Sequence, residues 1–185
     1  RWFVPDPYVR VRSQSTYAYG YDWAPGVEVT LTIDDQQWTE IVDEQGEVYF
    51  STYPNINEKG TELVLTDGTH TVQYTVADLK ITEVDEQLEI IRGTADPNQE
   101  VRVSVRDKYD TYKGLYVTAN TQGLWEADFS IYMDIGPGTS MWAYQYDNDE
   151  NATWDYNHIP DPWVYVNPQL DYVYGWSWTS GEEVT

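Results

Sequence analysis

The sequence predicts an all-β protein, made of tandem immunoglobulin-like β-sandwiches of Greek-key type with essentially no helix. Apolar residues alternate with polar ones over short segments, as in residues 27–33 and 101–105, which is typical of half-buried strands. Clusters of Gly, Pro and Asn separate these segments and predict turns. No window shows a sustained period of 3.6 residues between helix caps. About seven short strands per module is the pattern of an immunoglobulin-like sandwich.

An internal repeat predicts the domain organisation. Residues 5–11, PDPYVRV, return as PDPWVYV at residues 160–166, and this offset of 155 residues then holds without a gap to the end of the chain. A weaker copy of the same pattern surrounds Gly93, which lies 73 residues after Gly20. The repeat unit is therefore a pair of related modules. We expect a first module at 1–77, with the tail of a preceding repeat at 1–4, a second at 78–159, and the opening strands of the next repeat at 160–185.

The elements follow in order within each module. In the first, residues 27–33 predict a strand, and residues 63–65 and 72–76 predict a hairpin joined through the turn 66–69. In the second, residues 79–82 can begin the first strand directly, which leaves almost no linker. Residues 101–105 and 125–129 predict further strands, and residues 141–146 turn through 147–151 into 152–154 as the matching hairpin.

Charge and composition restrict the partners. The 185 residues carry a formal net charge of −22, which argues against nucleic acid and an anionic membrane surface. No stretch approaches the roughly 20 apolar residues of a membrane span, and without cysteine there is neither a disulfide nor a thiol nucleophile. The expected partners are cations, sugars or other proteins, and the acidic surface favours an extracellular or cell-surface location.

The second module resembles a known class of domains. Its segments GTADPNQEVRVSV and TQGLWEADF, at 93–105 and 121–129, are similar to bacterial immunoglobulin-like domains that stand in tandem in large surface and secreted proteins. The resemblance covers residues 86–146 best and implies an extracellular stalk, adhesin or fibre. It carries over turn and core positions only and supplies no catalytic site; these positions are Gly93, Pro97, Val101, Gly123, Trp125 and Phe129.

The partial repeat at 160–185 leaves two interpretations open. Either the chain is a window on a long tandem array, or its last strands complete a module in the next molecule by strand addition. Both predict self-association head to tail. The residues expected to take part in assembly are Tyr17, Tyr19, Trp23, Tyr172, Tyr174, Trp176, Trp178 and Val184.

Two candidate sites lie in the acidic turn before residue 152. Oxygen ligands at alternate positions suit Ca²⁺, with Asp147, Asp149 and Glu150 in the turn and Asp155 beyond it; the competing interpretation is a solvated hairpin turn, and no other cofactor is expected. The sequence Asn151-Ala152-Thr153 is an N-glycosylation sequon that we expect to be exposed.

The sequence offers a poor case for an enzyme. His70 and His158 are isolated, and neither a nucleophile-elbow motif nor a zinc-protease motif occurs. We therefore predict a non-catalytic structural repeat unit of an extracellular fibre or cell-surface stalk. The alternative is an adhesin or carbohydrate-binding module that uses exposed Tyr and Trp to stack on surface glycans.

Overall fold

Strands and turns, without any helix, form the described residues, 4–53 and 57–178, of this computed structural model. The prediction of an all-β sandwich protein is therefore confirmed, and these residues include no helix that could span a membrane. The first module contains β1 Tyr8–Arg12, β2 Tyr17–Tyr21, β3 Glu28–Ile33, β4 Gln36–Ile41, β5 Val48–Ser51, β6 Glu62–Thr66 and β7 Thr71–Thr75. The second contains β8 Lys80–Asp85, β9 Ile90–Thr94, β10 Glu100–Arg106, β11 Tyr112–Thr118, β12 Leu124–Asp128, β13 Ser140–Tyr146 and β14 Ala152–His158. The hairpin of β15 Trp163–Asn167 and β16 Tyr172–Trp176 follows.

The two modules share one topology. In the first, β1, β2 and β5 form one sheet and β4, β3, β6 and β7 form the other; in the second, β8, β9 and β12 correspond to the former and β11, β10, β13 and β14 to the latter. The third and fourth strands thus leave the sheet of the first two and the chain later returns to it, which is a Greek-key path. Both predicted hairpins form, as β6–β7 and β13–β14.

Each module has its own core because strand residues of period two face inward. One cluster of buried side chains surrounds Trp23 and Phe50, and the other surrounds Trp125 and Phe129. Trp23 has no solvent exposure, so its predicted role in assembly is wrong for the folded chain; its indole fills the first core.

A glycine allows each module's tryptophan to lie close to the backbone. A Cβ atom added to Gly93 would fall on the Lys80 carbonyl oxygen and on the Trp125 indole. In the first module, a Cβ on Gly20 would come within 2.7 Å of Trp23 Nε1. Only glycine leaves room for these indoles, because the obstacles include backbone and tightly packed rings.

The modules are joined by strand pairing. The strand β14 pairs in parallel with β1, with Arg10 opposite Ala152 and Arg12 opposite Trp154. A three-stranded sheet of the first module and a four-stranded sheet of the second thereby become one sheet, in the order β11-β10-β13-β14-β1-β2-β5. The pair of sandwiches is held side by side, and the repeat pattern in the sequence did not reveal this contact.

The hairpin β15–β16 stands apart from both sandwiches. Its two strands pair with each other, and no third described strand joins them. The local geometry of β1–β2 is kept, since a Cβ on Gly175 would lie 2.7 Å from Trp178 Nε1, as at Gly20 and Trp23. The hairpin therefore repeats the local geometry of the first two strands of the first module.

Candidate functional site

The predicted glycosylation site takes part in the junction between the modules. The Asn151 side chain is only 3% exposed. Its Oδ1 accepts the Val9 N–H at 2.9 Å, and its Nδ2 donates to Asp147 Oδ2 at 2.9 Å. The expectation that Asn151 is exposed is therefore wrong, because its amide satisfies the buried backbone at the start of β1. Glycosylation stays a prediction, one that requires this turn to open.

The four predicted calcium ligands serve different parts of the structure. Asp147 Oδ1 accepts the N–H groups of Asp149 at 2.9 Å and Asn151 at 3.0 Å, which closes the turn. Asp149 and Glu150 are exposed at its tip. Asp155 Oδ2 accepts the Ile81 N–H at 2.8 Å. Within residues 4–53 and 57–178, no three His, Cys, Asp or Glu side chains are grouped as a metal would need. Calcium at these positions stays a prediction.

Thr153 lies between Asn151 and Asp155 and completes a polar row that we call the module clasp. Asn151 directly precedes β14, and Thr153 and Asp155 lie on the inner side of that strand. Thr153 is fully buried, and its Oγ1 accepts the Ala77 N–H at 2.9 Å and bonds the Tyr74 hydroxyl at 2.8 Å. Burial of the Tyr74 ring raises the pKa of its hydroxyl to about 12. The clasp joins β14 to the beginning of β1, the end of the first module and the start of β8.

Sequence reasoning missed the clasp, although a signal for it exists. Polar residues occupy every second position from 151 to 157, and Ala152, Trp154 and Tyr156 occupy the positions between them. For a strand on an ordinary core this pattern would place the aromatic residues inside. In the structure it is inverted, because the inner side of β14 must satisfy buried N–H groups of three other segments.

The outer side of the seven-stranded sheet is the most distinctive surface of the molecule. Val9 and Val11 point into the core, so Tyr8, Arg10 and Arg12 point outward, and the same alternation holds along the other strands. Half of the outward positions are Tyr or Trp. We call this surface the aromatic face, and its rings belong to Tyr8, Tyr17, Tyr19, Tyr21, Tyr49, Tyr112, Tyr116, Trp142, Tyr144, Tyr146, Trp154 and Tyr156.

Arginines lie among these rings. The Arg10 guanidinium carbon is 4.9 Å from the ring centre of Tyr8, 5.2 Å from that of Tyr21 and 5.8 Å from that of Tyr146. Arg10 therefore contacts rings of both modules, within the range of a cation–π interaction. Arg12 lies 5.5 Å from the Trp154 ring centre, and Arg106 lies 5.9 Å from that of Trp142.

The charge of the aromatic face is opposite to that of the rest of the chain. Four of the six arginines in the sequence point outward from these strands: Arg10, Arg12, Arg102 and Arg106. Among the described residues of the seven strands, Glu100 at the start of β10 is the one carboxylate that points outward.

Most of these arginines have no acidic partner. Among the described residues, the salt bridges within 4.0 Å include Arg106 with Asp110 at 3.4 Å but none to Arg10, Arg12 or Arg102. By contrast Arg92, on the other sheet of the second module, lies 2.7 Å from Glu126 and 3.0 Å from Glu83.

A groove of about 270 Å³ crosses the part of the aromatic face that belongs to the second module. Arg102 Nη2 donates to the Tyr112 hydroxyl at 3.1 Å, which donates to Ser104 Oγ at 2.9 Å. At one end of the groove, Arg10 Nε is buried and has no hydrogen-bond partner among the described residues. The groove thus combines fixed hydrogen-bond donors with aromatic walls, formed by Tyr112, Trp142, Tyr144 and Tyr146.

The other predicted assembly residues fall into two groups. Tyr17 and Tyr19 lie on the aromatic face, where their ring centres are 5.6 and 5.3 Å from that of Tyr49. In the hairpin, four exposed rings, Tyr172, Tyr174, Trp176 and Trp178, face solvent. Val184 lies outside the described residues.

The two histidines occupy structural positions. His70 Nδ1 lies 3.2 Å from Asp67 Oδ2 in the β6–β7 turn, and His158 Nδ1 lies 3.1 Å from Ser140 Oγ on the surface of β13 and β14. Neither contact places a nucleophile in a cleft with an oriented base, which catalysis by such a pair requires.

No protein-family model and no curated protein matches the chain. Among solved structures, a tetra-tandem repeat from the extending region of a large adhesion protein is 16% identical, with a TM-score of 0.36, over 85% of this chain and 50% of that one. A Ca²⁺-stabilized adhesin that helps an Antarctic bacterium bind ice is 16% identical, with a TM-score of 0.26, over 89% of this chain and 52% of that one. Pullulanase from Anoxybacillus sp. LM18-11, complexed with maltotriose, is 14% identical, with a TM-score of 0.29, over 77% of this chain and 24% of that one. The chain thus spans about half or less of the length of each, and likenesses this weak do not bear on its function.

Proposed function

We propose that the chain is a non-catalytic structural repeat unit of an extracellular fibre or cell-surface stalk, in which pairs of sandwiches follow one another head to tail. The hairpin β15–β16 carries this proposal. Its strands pair in the register of β1–β2: Trp163 lies opposite Trp176 as Tyr8 lies opposite Tyr21. The hairpin therefore has the pairing of a first strand pair before any sandwich encloses it.

The side of the hairpin that should face a core is exposed. Val164, Val166 and Val173 are 49%, 59% and 64% exposed, whereas their counterparts in the first module, which include Val9 and Val11, are fully buried. Burying a valine side chain stabilises a fold by roughly 1.5–3 kcal/mol. This gain favours covering the hairpin with the remaining strands of another sandwich.

The array interpretation has the simpler geometry. In the seven-stranded sheet, the position between β14 and β5 is already occupied by the first module's own β1–β2 hairpin, which pairs with both strands. Strand addition between molecules would have to displace it, whereas a following repeat in the same chain would supply new strands. The acidic surface keeps such an array soluble through repulsion between copies.

The test is a lengthened chain in which residues 31–159 are appended directly after residue 185. Residues 160–185 then occupy the place of 5–30 in a second pair of modules. We expect the β16 amides to become protected from hydrogen exchange, as those of β2 are. The matched control carries Val166→Asp in the lengthened chain and should lose that protection.

Two results would contradict the proposal. Unchanged, fast exchange in the lengthened chain would mean that the hairpin does not start a sandwich. Filaments formed by the 185-residue chain alone, with β1 displaced, would establish strand addition between molecules instead.

A second candidate function is ligand binding by an adhesin or carbohydrate-binding module. The aromatic face favours it, because arginines without acidic partners among the described residues, beside a groove with fixed donors, are complementary to an external anion.

A further inference from the structure

We propose that the groove of the aromatic face binds an acidic polysaccharide, whose carboxylates pair with the arginines and whose sugar rings contact the aromatic walls. This names the ligand class for the second candidate function, and it does not depend on how copies of the chain are joined.

Three arginines of the aromatic face lack an acidic partner among the described residues. The chain has 32 Asp and Glu residues, yet Arg10, Arg12 and Arg102 have no described carboxylate within 4.0 Å. Arg92 is the contrasting case, because the carboxylates of Glu83, Asp85 and Glu126 all lie within 4.0 Å of its guanidinium. A surface that keeps arginines free of acids in so acidic a chain is complementary to an external anion.

Contacts within the aromatic face hold these hydrogen-bond donors in place. The Tyr112 hydroxyl fixes Arg102 through a hydrogen bond of 3.1 Å, and the rings of Tyr8 and Tyr21 flank Arg10. A planar guanidinium presents paired donors that match both oxygens of a carboxylate. Because the side chains are already positioned, less conformational entropy is lost when an anion binds.

The shape of the aromatic face favours a sugar polymer. Tyr112 and Tyr116 are 50% and 64% exposed at the outer edge of the face, and Tyr49 is 47% exposed at the opposite edge. Strands lie about 4.8 Å apart, so seven strands span about 29 Å, which suits an extended chain better than a single small ion. Tyrosine and tryptophan rings offer apolar surface together with a polar tip, as sugar rings also do.

Two other anionic partners fit less well. A second copy of this chain also offers carboxylates, but each copy carries a net charge of −22, and repulsion between copies opposes that contact. Nucleic acid carries a charge every few ångströms along its backbone, and the net charge of −22 repels it. A uronic-acid polymer also has one charge per monomer and is repelled in the same way, but the sugar rings that carry its carboxylates can themselves contact the aromatic walls. At physiological salt, charges beyond about 8 Å are screened.

The experiment is calorimetric titration of the 185-residue protein with a galacturonic-acid octamer. Maltooctaose serves as the neutral sugar and an eight-nucleotide single strand as the competing polyanion. We expect the octauronate to bind with an affinity that falls as salt is raised, and maltooctaose to bind at least tenfold more weakly. Arg102→Gln should reduce the affinity for octauronate at least tenfold. The matched control Arg92→Gln removes an equal charge from the other sheet and should change it less than twofold.

A second variant, Arg106→Gln, repeats the test at the other side of the groove, and circular dichroism checks that each variant keeps its strands. Several results overturn the proposal: no binding of octauronate by the wild type, equal losses in Arg102→Gln and Arg92→Gln, or tighter binding of the oligonucleotide. Dimerisation in sedimentation that Arg102→Gln abolishes would assign the face to a second copy. None of these results affects the lengthened-chain test, so the failures of the two proposals are distinguishable.

Discussion

Replacing Thr153 by valine tests whether the clasp holds the modules together. The two side chains have nearly the same shape, so Thr153→Val leaves no cavity but removes the oxygen that accepts the Ala77 N–H at 2.9 Å and bonds the Tyr74 hydroxyl at 2.8 Å. Thr153 is fully buried, and Ala77 and Tyr74 are 5% and 8% exposed, so water cannot readily replace it.

Each buried polar group left without a partner costs about 1–3 kcal/mol. Because Thr153→Val leaves two such groups in a nearly fully buried site, we expect the free energy of unfolding to fall by about 3 kcal/mol. For a chain of this size that lowers the thermal midpoint by roughly 6–12 °C.

The measurement is urea unfolding followed by tryptophan fluorescence, with hydrogen exchange at the Ala77 amide. Two controls separate the hydroxyl from other effects. Thr153→Ser keeps the oxygen and should retain most of the stability. Thr39→Val removes a hydroxyl from an exposed strand, where the Thr39 hydroxyl bonds that of Thr30, and should change stability by less than about 0.5 kcal/mol. If Thr153→Val proves as stable as Thr39→Val, the clasp does not hold the modules.

Three further predictions concern the core, the hairpin and the acidic turn. Gly93→Ala should lower the free energy of unfolding by about 3 kcal/mol or more through overpacking, because the added Cβ falls on a backbone carbonyl and an indole. Gly114→Ala is the control and should be nearly neutral, because the nearest atom to a Cβ on Gly114 is 3.6 Å away. Equal thermal midpoints of the two variants would contradict this prediction. Val11→Asp should unfold the first module by placing an unpaired charge in its core. The equivalent change in the hairpin, Val166→Asp, is at a position 59% exposed and should leave the thermal midpoint of the 185-residue chain unchanged. Removing calcium with EDTA should not shift that midpoint, because the Asp147 carboxylate already accepts hydrogen bonds within its turn; a fall that added Ca²⁺ reverses would instead support the calcium prediction.

The fold could be predicted well from sequence because its signals are local. Alternation along β3, β6 and β10 follows directly from which side of a strand meets the core, and the turn residues between them restrict the backbone whatever lies nearby. The pairing of β15 with β16 was implicit in the repeat, since the same residues that pair β1 with β2 recur there.

The candidate site could not be predicted in the same way. The turn at 147–151 looks like a metal or glycan site because Asp and Asn are also the residues that bind ions and carry sugars. Their actual partners, which include the Val9 N–H 142 residues from Asn151 in sequence, depend on contacts between distant segments. Local composition therefore overestimated the exposure of Asn151 and missed the role of Thr153.

The sequence by itself determined the strands, the turns, the two-module repeat and the acidic charge, because each depends on neighbouring residues or on composition alone. Only the tertiary structure decided that β14 pairs in parallel with β1. That pairing places Arg10 beside rings of both modules and brings the arginines of β1 and β10 onto one surface. No periodicity encodes it, since the two strands are 140 residues apart and the contact depends on the inner side of β14 satisfying backbone groups of three other segments.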